Sequence, residues 1–197
     1  MNSCIFCEID TNKIENTIIE ETKYFKITPA VGSLVEGYLL IISKRHITSM
    51  SQLNDNELKE YKLIIDKYRT IFKETYGRFP VIFEHGTVDE TKSSSSSVIH
   101  AHTHIVNHNY LDESSLLKAL NFSKINNILD FKEINKNYIF YINPQNTNYI
   151  TFKFKPISQM MRILIAKDLN IEHKYDWTKD IFMENIEKTI NKFKIKQ

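Results

Sequence analysis

At 197 residues, with 42% hydrophobic and 12% aromatic side chains, the chain has the length of one compact domain and enough apolar material for a continuous core, which excludes a disordered tail. A formal charge of +2 and a pI near 8.4 are too balanced to point to specific nucleic-acid binding, although they suit a small anionic ligand. No stretch reaches the roughly 20 apolar residues that span a bilayer, and no basic region followed by an apolar run opens the chain, so no membrane partner and a cytoplasmic location are expected.

The only cysteines, Cys4 and Cys7, share a CIFC segment, which leaves a metal site or a local redox pair as their use. Residues 17–27 are rich in β-branched and aromatic side chains and predict two short strands, closed by Pro29. The apolar run from Gly37 to Ser43 suits a central strand buried on both faces, with Lys44-Arg45-His46 at its exit. From Asn54 the apolar spacing becomes helical through Leu58, Tyr61, Ile64, Ile65, Tyr68 and Phe72; Asn54 can cap this helix of about five turns and Gly77 ends it. Phe79 to Glu84 and Val98 to Val106 read as strands, joined by a connection that contains five consecutive serines. Further on, a short helix over 112–120, a hairpin of strands 138–142 and 149–154, a helix opened by Pro156 and a helix over 181–193 complete the pattern. Strands, one long helix, strands, then strands and helices indicate an α+β domain with a mostly antiparallel sheet.

The strongest chemical signal is His100-Ala101-His102-Thr103-His104-Ile105-Val106. Alternate residues of a strand project from one face, so three of the chain's seven histidines line one surface, an arrangement that core packing gives no reason for. Such a row can hold a catalytic metal through three imidazoles, or supply a nucleophile flanked by groups that balance phosphate charge. A closed zinc site takes four sulfur and imidazole ligands, of which CxxC supplies two. His46 and His100, at the ends of neighbouring strands, are the natural remaining pair, and this choice leaves His102 and His104 free for chemistry. The serines before the strand, Ser96 and Ser97 among them, can offer hydroxyl and N–H donors to a phosphate.

CIFC, KRH and HAHTHIV, in this order and at these separations, resemble the histidine-triad (HIT) superfamily of nucleotide hydrolases and transferases, over Cys4 to Val106, and its zinc-containing branch in particular. The resemblance implies a HIT-like fold, with residues 1–110 as the core and its zinc knuckle and residues 111–197 as a carboxy-terminal helical and hairpin extension packed on the same domain. It implies a structural zinc ion on Cys4, Cys7, His46 and His100. It implies catalysis at the α-phosphate of a nucleotide substrate, with His102 forming a covalent nucleotidyl-histidine and His104 contacting the phosphate, and a possible homodimer. Glu84-His85-Gly86 and Ser158-Gln159-Met160-Met161-Arg162 resemble a larger bacterial HIT-like group, in which the first segment faces the nucleotide site and a glutamine and an arginine on a helix approach the pocket, which implies substrate contacts for His85 and Gln159. For Gly86 an exposed turn with positive φ weighs evenly against that, and for Arg162 a solvated surface charge is the commoner outcome. Two other function classes compete: a nucleotide-binding regulatory module with little turnover, and a catalytic-zinc hydrolase using all three imidazoles.

Overall fold

The computed structural model describes residues 4–88, 98–110, 112–127, 134–154 and 157–194. Its centre is an eight-stranded sheet in the order β1-β2-β3-β5-β4-β7-β8-β6, with every neighbouring pair antiparallel. The strands are β1 (Glu20–Glu21), β2 (Phe25–Pro29), β3 (Tyr38–Ser43), β4 (Val81–Gly86), β5 (His102–Val106), β6 (Ser123–Ile125), β7 (Tyr138–Ile142) and β8 (Asn148–Thr151). The helices are α1 (Asp55–Tyr76), α2 (Glu113–Ala119), α3 (Met160–Asp168) and α4 (Met183–Lys194). This is the α+β architecture with an antiparallel sheet that the order of elements in the sequence predicts.

The two faces of the sheet carry separate cores. On one, Leu39, Ile41, Ile82, Ile105 and Phe140 meet the apolar stripe of α1, and Phe193 of α4 joins them. On the other, Tyr38, Leu40, Phe83, Val106 and Ile139 meet Met160, Met161 and Ile165 of α3. The alternation follows from the two-residue period of a strand, and it explains why all of β3 is buried: each of its faces has a helix to cover it.

Helix α1 is held by local chemistry at both ends. The Asn54 side chain accepts from the backbone N–H groups of Asn56 and Glu57, while the Glu57 carboxylate accepts from the Asn54 N–H at 2.8 Å, a complete capping box. Gly77 stops the helix at φ 73°, a left-handed conformation that glycine adopts without a Cβ clash. The helix has 22 residues, about six turns at 3.6 residues each, slightly longer than its spacing predicts. Glu57 also pairs with Arg45 at 2.7 Å, tying the exit of β3 to the helix start.

Two sequence expectations change. The strand expected over Val98 to Val106 begins only at His102, because the Ala101 N–H donates to the Ile47 carbonyl at 2.6 Å and not to β3. Gly86 is no turn: it is the last residue of β4, opposite Tyr138, and any Cβ there would strike the Tyr138 ring. Glycine is required by close approach instead of by φ.

Strand β7 pairs with the outer side of β4, so the triad half of the sheet continues directly into strands drawn from residues 123–151. The free edges are the short β1 and β6, and an edge-to-edge pairing of two copies would have to use those.

Candidate active site and metal centre

The exit of β3 and the residues just before β5 lie side by side, since Ile42 pairs with His102 and the Ser43 N–H bonds the Ala101 carbonyl. That pairing brings His46 and His100 together, and the amino-terminal turn Cys4–Cys7 folds over them. The Cys4 Sγ is 3.4 Å from His100 Nδ1, the Cys7 Sγ is 3.1 Å from His46 Nδ1 and 3.6 Å from His100 Nδ1, and the two Nδ1 atoms are 3.2 Å apart. All four donor atoms lie within 4.8 Å of one another. Tetrahedral zinc, with bonds of about 2.3 Å to sulfur and about 2.0 Å to nitrogen, separates its ligand atoms by about 3.3–3.8 Å. The donor set suits zinc, and the four separations of 3.1–3.6 Å lie close to that range.

The tautomer of His100 fits as well. Its Nε2 lies 2.7 Å from the Ser43 carbonyl oxygen, which can only accept, so Nε2 carries the proton and the Nδ1 lone pair faces the cluster. Burial and the neighbouring Cys4 push the Cys7 thiol up, a cost that a divalent cation between the sulfurs would reverse.

The next two histidines face elsewhere. His102 and His104 open into a cleft of about 930 Å³, a figure that includes its open mouth. Apolar walls come from Phe6, Leu40, Phe83, Met160 and Trp177, and His85 stands on the same wall as Phe83. The Nδ1 of His102 lies 2.6 Å from the His100 carbonyl oxygen. That oxygen accepts, so Nδ1 bears the proton and Nε2 keeps its lone pair. His104 is stacked on Phe83, with ring centroids 4.5 Å apart and planes 13° from parallel, and its Nδ1 meets the Tyr38 hydroxyl at 3.0 Å.

A family model described as scavenger mRNA decapping enzyme C-terminal binding matches residues 3–118, more than half of the chain. The chain belongs to this histidine-triad family. The "Protein hit" of Bacillus subtilis is 24% identical over 104 residues, which are 53% of this chain and 70% of that protein. Similar solved structures include a HIT family member from Bacillus subtilis (23% identity, 53% of this chain and 72% of that one, TM-score 0.44) and a zinc-bound histidine triad family protein from Mycobacterium smegmatis (19% identity, 56% and 78%, TM-score 0.44). A third is a hypothetical histidine triad nucleotide-binding protein from Sulfolobus tokodaii, with 18% identity, 56% and 74% coverage and a TM-score of 0.43.

In this histidine-triad chain the cleft keeps its imidazoles neutral. Burial, first of all, lowers His102 to about 4, against the opposing hydrogen bond to the His100 carbonyl. Burial also holds His104 well below its usual value, helped by His102 and the Arg162 charge, and it lowers His85. A neutral imidazole is the nucleophilic form.

The remaining sequence candidates divide. His85 reaches the cleft, with its ring T-shaped against Phe154 and the two centroids 5.0 Å apart. Gln159 also lines it, but both ends of its amide are engaged: Nε2 donates to Asp176 at 3.1 Å, and Oε1 accepts from the Trp177 N–H at 3.2 Å. Ser96 and Ser97 lie outside the described residues, as does Pro156. Within the triad motif the three rings do not share one surface, because His100 turns to the cysteines while His102 and His104 face the cleft. Arg162 is no surface charge, being only 4% exposed.

Sequence reasoning did not find Phe6 or Tyr38. The ring of Phe6 stands edge-on to both His100 and His102, at 5.7 and 5.1 Å. Tyr38 had a usable signal: it precedes Leu40 by two on β3, and Leu40 lies opposite His104, so Tyr38 shares the triad face.

Proposed function

We propose that this chain is a nucleotide hydrolase or nucleotidyl transferase that acts at the α-phosphate through a nucleotidyl-histidine on His102. The observation that carries this reading is the 2.6 Å bond from His102 Nδ1 to the His100 carbonyl, which fixes the tautomer and leaves Nε2 unprotonated on a ring that lines the cleft. Nε2 attacks phosphorus, the bond to the leaving group breaks, and the leaving oxygen departs with the electron pair. The imidazole becomes cationic as it is phosphorylated, and the His100 carbonyl stabilises the Nδ1–H charge. Water or another acceptor then displaces the imidazole, which leaves as a neutral ring. His104 contacts the phosphate, its orientation set by Phe83 and Tyr38, and His85 approaches the substrate from the adjoining strand.

Zinc on Cys4, Cys7, His46 and His100 would be structural, cross-linking the amino-terminal turn to the exit of β3 and the start of the triad. The grouping of His100 with the cysteines, away from His102 and His104, supports this over a catalytic ion held by all three imidazoles. Cys7→Ser is expected to lose the zinc carried by the wild type, as read by elemental analysis of purified protein. Equal zinc in both would point to ligands elsewhere.

The mechanism is tested by incubating the protein with a panel of dinucleoside polyphosphates and nucleotide conjugates. Mononucleotide release, its loss by at least about a thousandfold in His102→Ala, and a nucleotidyl adduct trapped on His102 are expected, since removing a nucleophile takes away the whole covalent route. Binding of nucleotide by wild type and variant alike, with no product from either, would instead identify a regulatory binding module.

A further inference from the structure

Tyr38 is wholly buried in β3, two residues before Leu40, which lies opposite His104. The diagonal step between the two strands is short enough for an aromatic side chain to span, and it brings the Tyr38 hydroxyl to 3.0 Å from His104 Nδ1. Two arrangements fit that distance: the phenol donates to a bare nitrogen, or the nitrogen carries the proton and the phenol accepts. They give His104 opposite chemistry, since the first leaves its other ring nitrogen an N–H donor and the second leaves it a lone pair.

The surroundings of the phenol decide between them. Burial raises Tyr38 above its ordinary value, against the Arg162 charge, so the hydroxyl keeps its hydrogen. That hydrogen needs an acceptor, and among the described residues His104 Nδ1 is the one group bonded to this hydroxyl. The charged neighbour, Arg162, with its guanidinium carbon 5.6 Å from the Tyr38 ring centroid, has donors only. A proton on Nδ1 would strand the phenol hydrogen in a buried site, whereas donation by Tyr38 satisfies both partners at once. Burial holds His104 neutral, so it has a single ring proton, and that proton then sits on Nε2.

We propose that Tyr38 is a positioning residue that fixes His104 in the Nε2–H tautomer, so that His104 meets the transferred phosphate as a hydrogen-bond donor and not as a second base. The phosphate half of this rests on the reading of the cleft as a nucleotide site. The two cleft imidazoles, with ring centroids 5.0 Å apart, then hold opposite tautomers. His102 donates its Nδ1–H to the His100 carbonyl and keeps a lone pair on Nε2, while His104 accepts at Nδ1 and keeps an N–H on Nε2. A nucleophile and a donor stand side by side with no charge on either ring. Phe83, stacked on His104, sets the plane in which that N–H points. A donor fixed before the reaction stabilises charge on the phosphate oxygens without reorganising as it develops.

The test is long-range proton–nitrogen NMR of the full chain labelled at its histidines, with the His104 signals assigned by their loss in His104→Ala. The ring couplings report which nitrogen is protonated, and they need no substrate. Wild type is expected to show His104 protonated at Nε2 and His102 at Nδ1. In Tyr38→Phe the Nδ1 resonance of His104 should move to that of a lone pair without a donor, while the His102 signals stay in place. With whichever nucleotide of the substrate panel turns over, Tyr38→Phe should lower kcat at least about tenfold and leave KM within about twofold, because the alignment of the donor matters most as charge develops. A proton on Nδ1 of His104 in the wild type overturns the proposal, even if the variant does not fold. So does a His104 spectrum that Tyr38→Phe leaves unchanged, and so does an unchanged kcat, which would make the bond structural alone. If no nucleotide turns over, the spectra still decide the tautomer, and it is the nucleotide reading that falls.

Discussion

Glu84 is buried at 1% exposure in β4, beside His85, and both its oxygens are occupied: Oε1 accepts from the Met50 N–H at 2.7 Å and Oε2 from the Tyr138 hydroxyl at 2.6 Å. Those bonds favour the carboxylate, but burial outweighs them and raises the group to about 7 from an ordinary 4.5. The folded protein therefore holds a proton that the unfolded chain releases between these values. The stabilisation is full below pH 4.5 and is lost as pH rises through 7. Glu84→Gln keeps an acceptor for Met50 and should flatten this part of the stability curve, removing a slope worth up to about 3 kcal/mol. Chemical denaturation of both proteins at pH 5 and pH 8 checks this; an identical change with pH in each would show that Glu84 is not its source. His102, on the adjacent strand β5, owes its state to a backbone carbonyl, so its tautomer was invisible in a residue pattern while its position was plain.

At the level of elements, the parts written in local chemistry could be read from the chain. Asn54 and Gly77 mark the ends of α1, and the run from Tyr138 to Ile142 is β7 as expected. Removing the cap in Asn54→Ala is expected to cost about 1 kcal/mol, lowering the melting temperature by about 2–4 °C in a chain of this size. An unchanged melting curve would mean that packing alone fixes the helix start. What could not be read depends on partners distant in sequence. The three residues of β6 form a strand only because β8 lies beside them, and the ring of His100 turns from the triad face because Cys4 and Cys7 sit over it. Likewise, Arg162 looks like a surface charge until the Gly32 and Tyr175 carbonyls are placed around it. The period-two histidines and the CxxC motif were legible because each is a short repeat with a fixed geometry of its own.

At the scale of the whole molecule, the residues beyond the match to the histidine-triad family complete what the matched part begins. The cleft takes Phe83, His102 and His104 from within residues 3–118, and Ile139, Met160, Arg162 and Trp177 from beyond it. α4 fastens this later part to the opposite face: Asn185 donates to the Ser33 carbonyl at 2.8 Å, Thr189 accepts from the Gly37 N–H at 2.8 Å, and Phe193 enters the α1 core. With β7 hydrogen-bonded along β4, the strand beside the triad finds its neighbour further down its own polypeptide. Assembly of the pocket is then a first-order event, indifferent to how many other molecules are nearby. Ligand affinity should hold constant when the protein is diluted a hundredfold, and a titration midpoint that drifts with dilution would reveal a wall lent by a second copy.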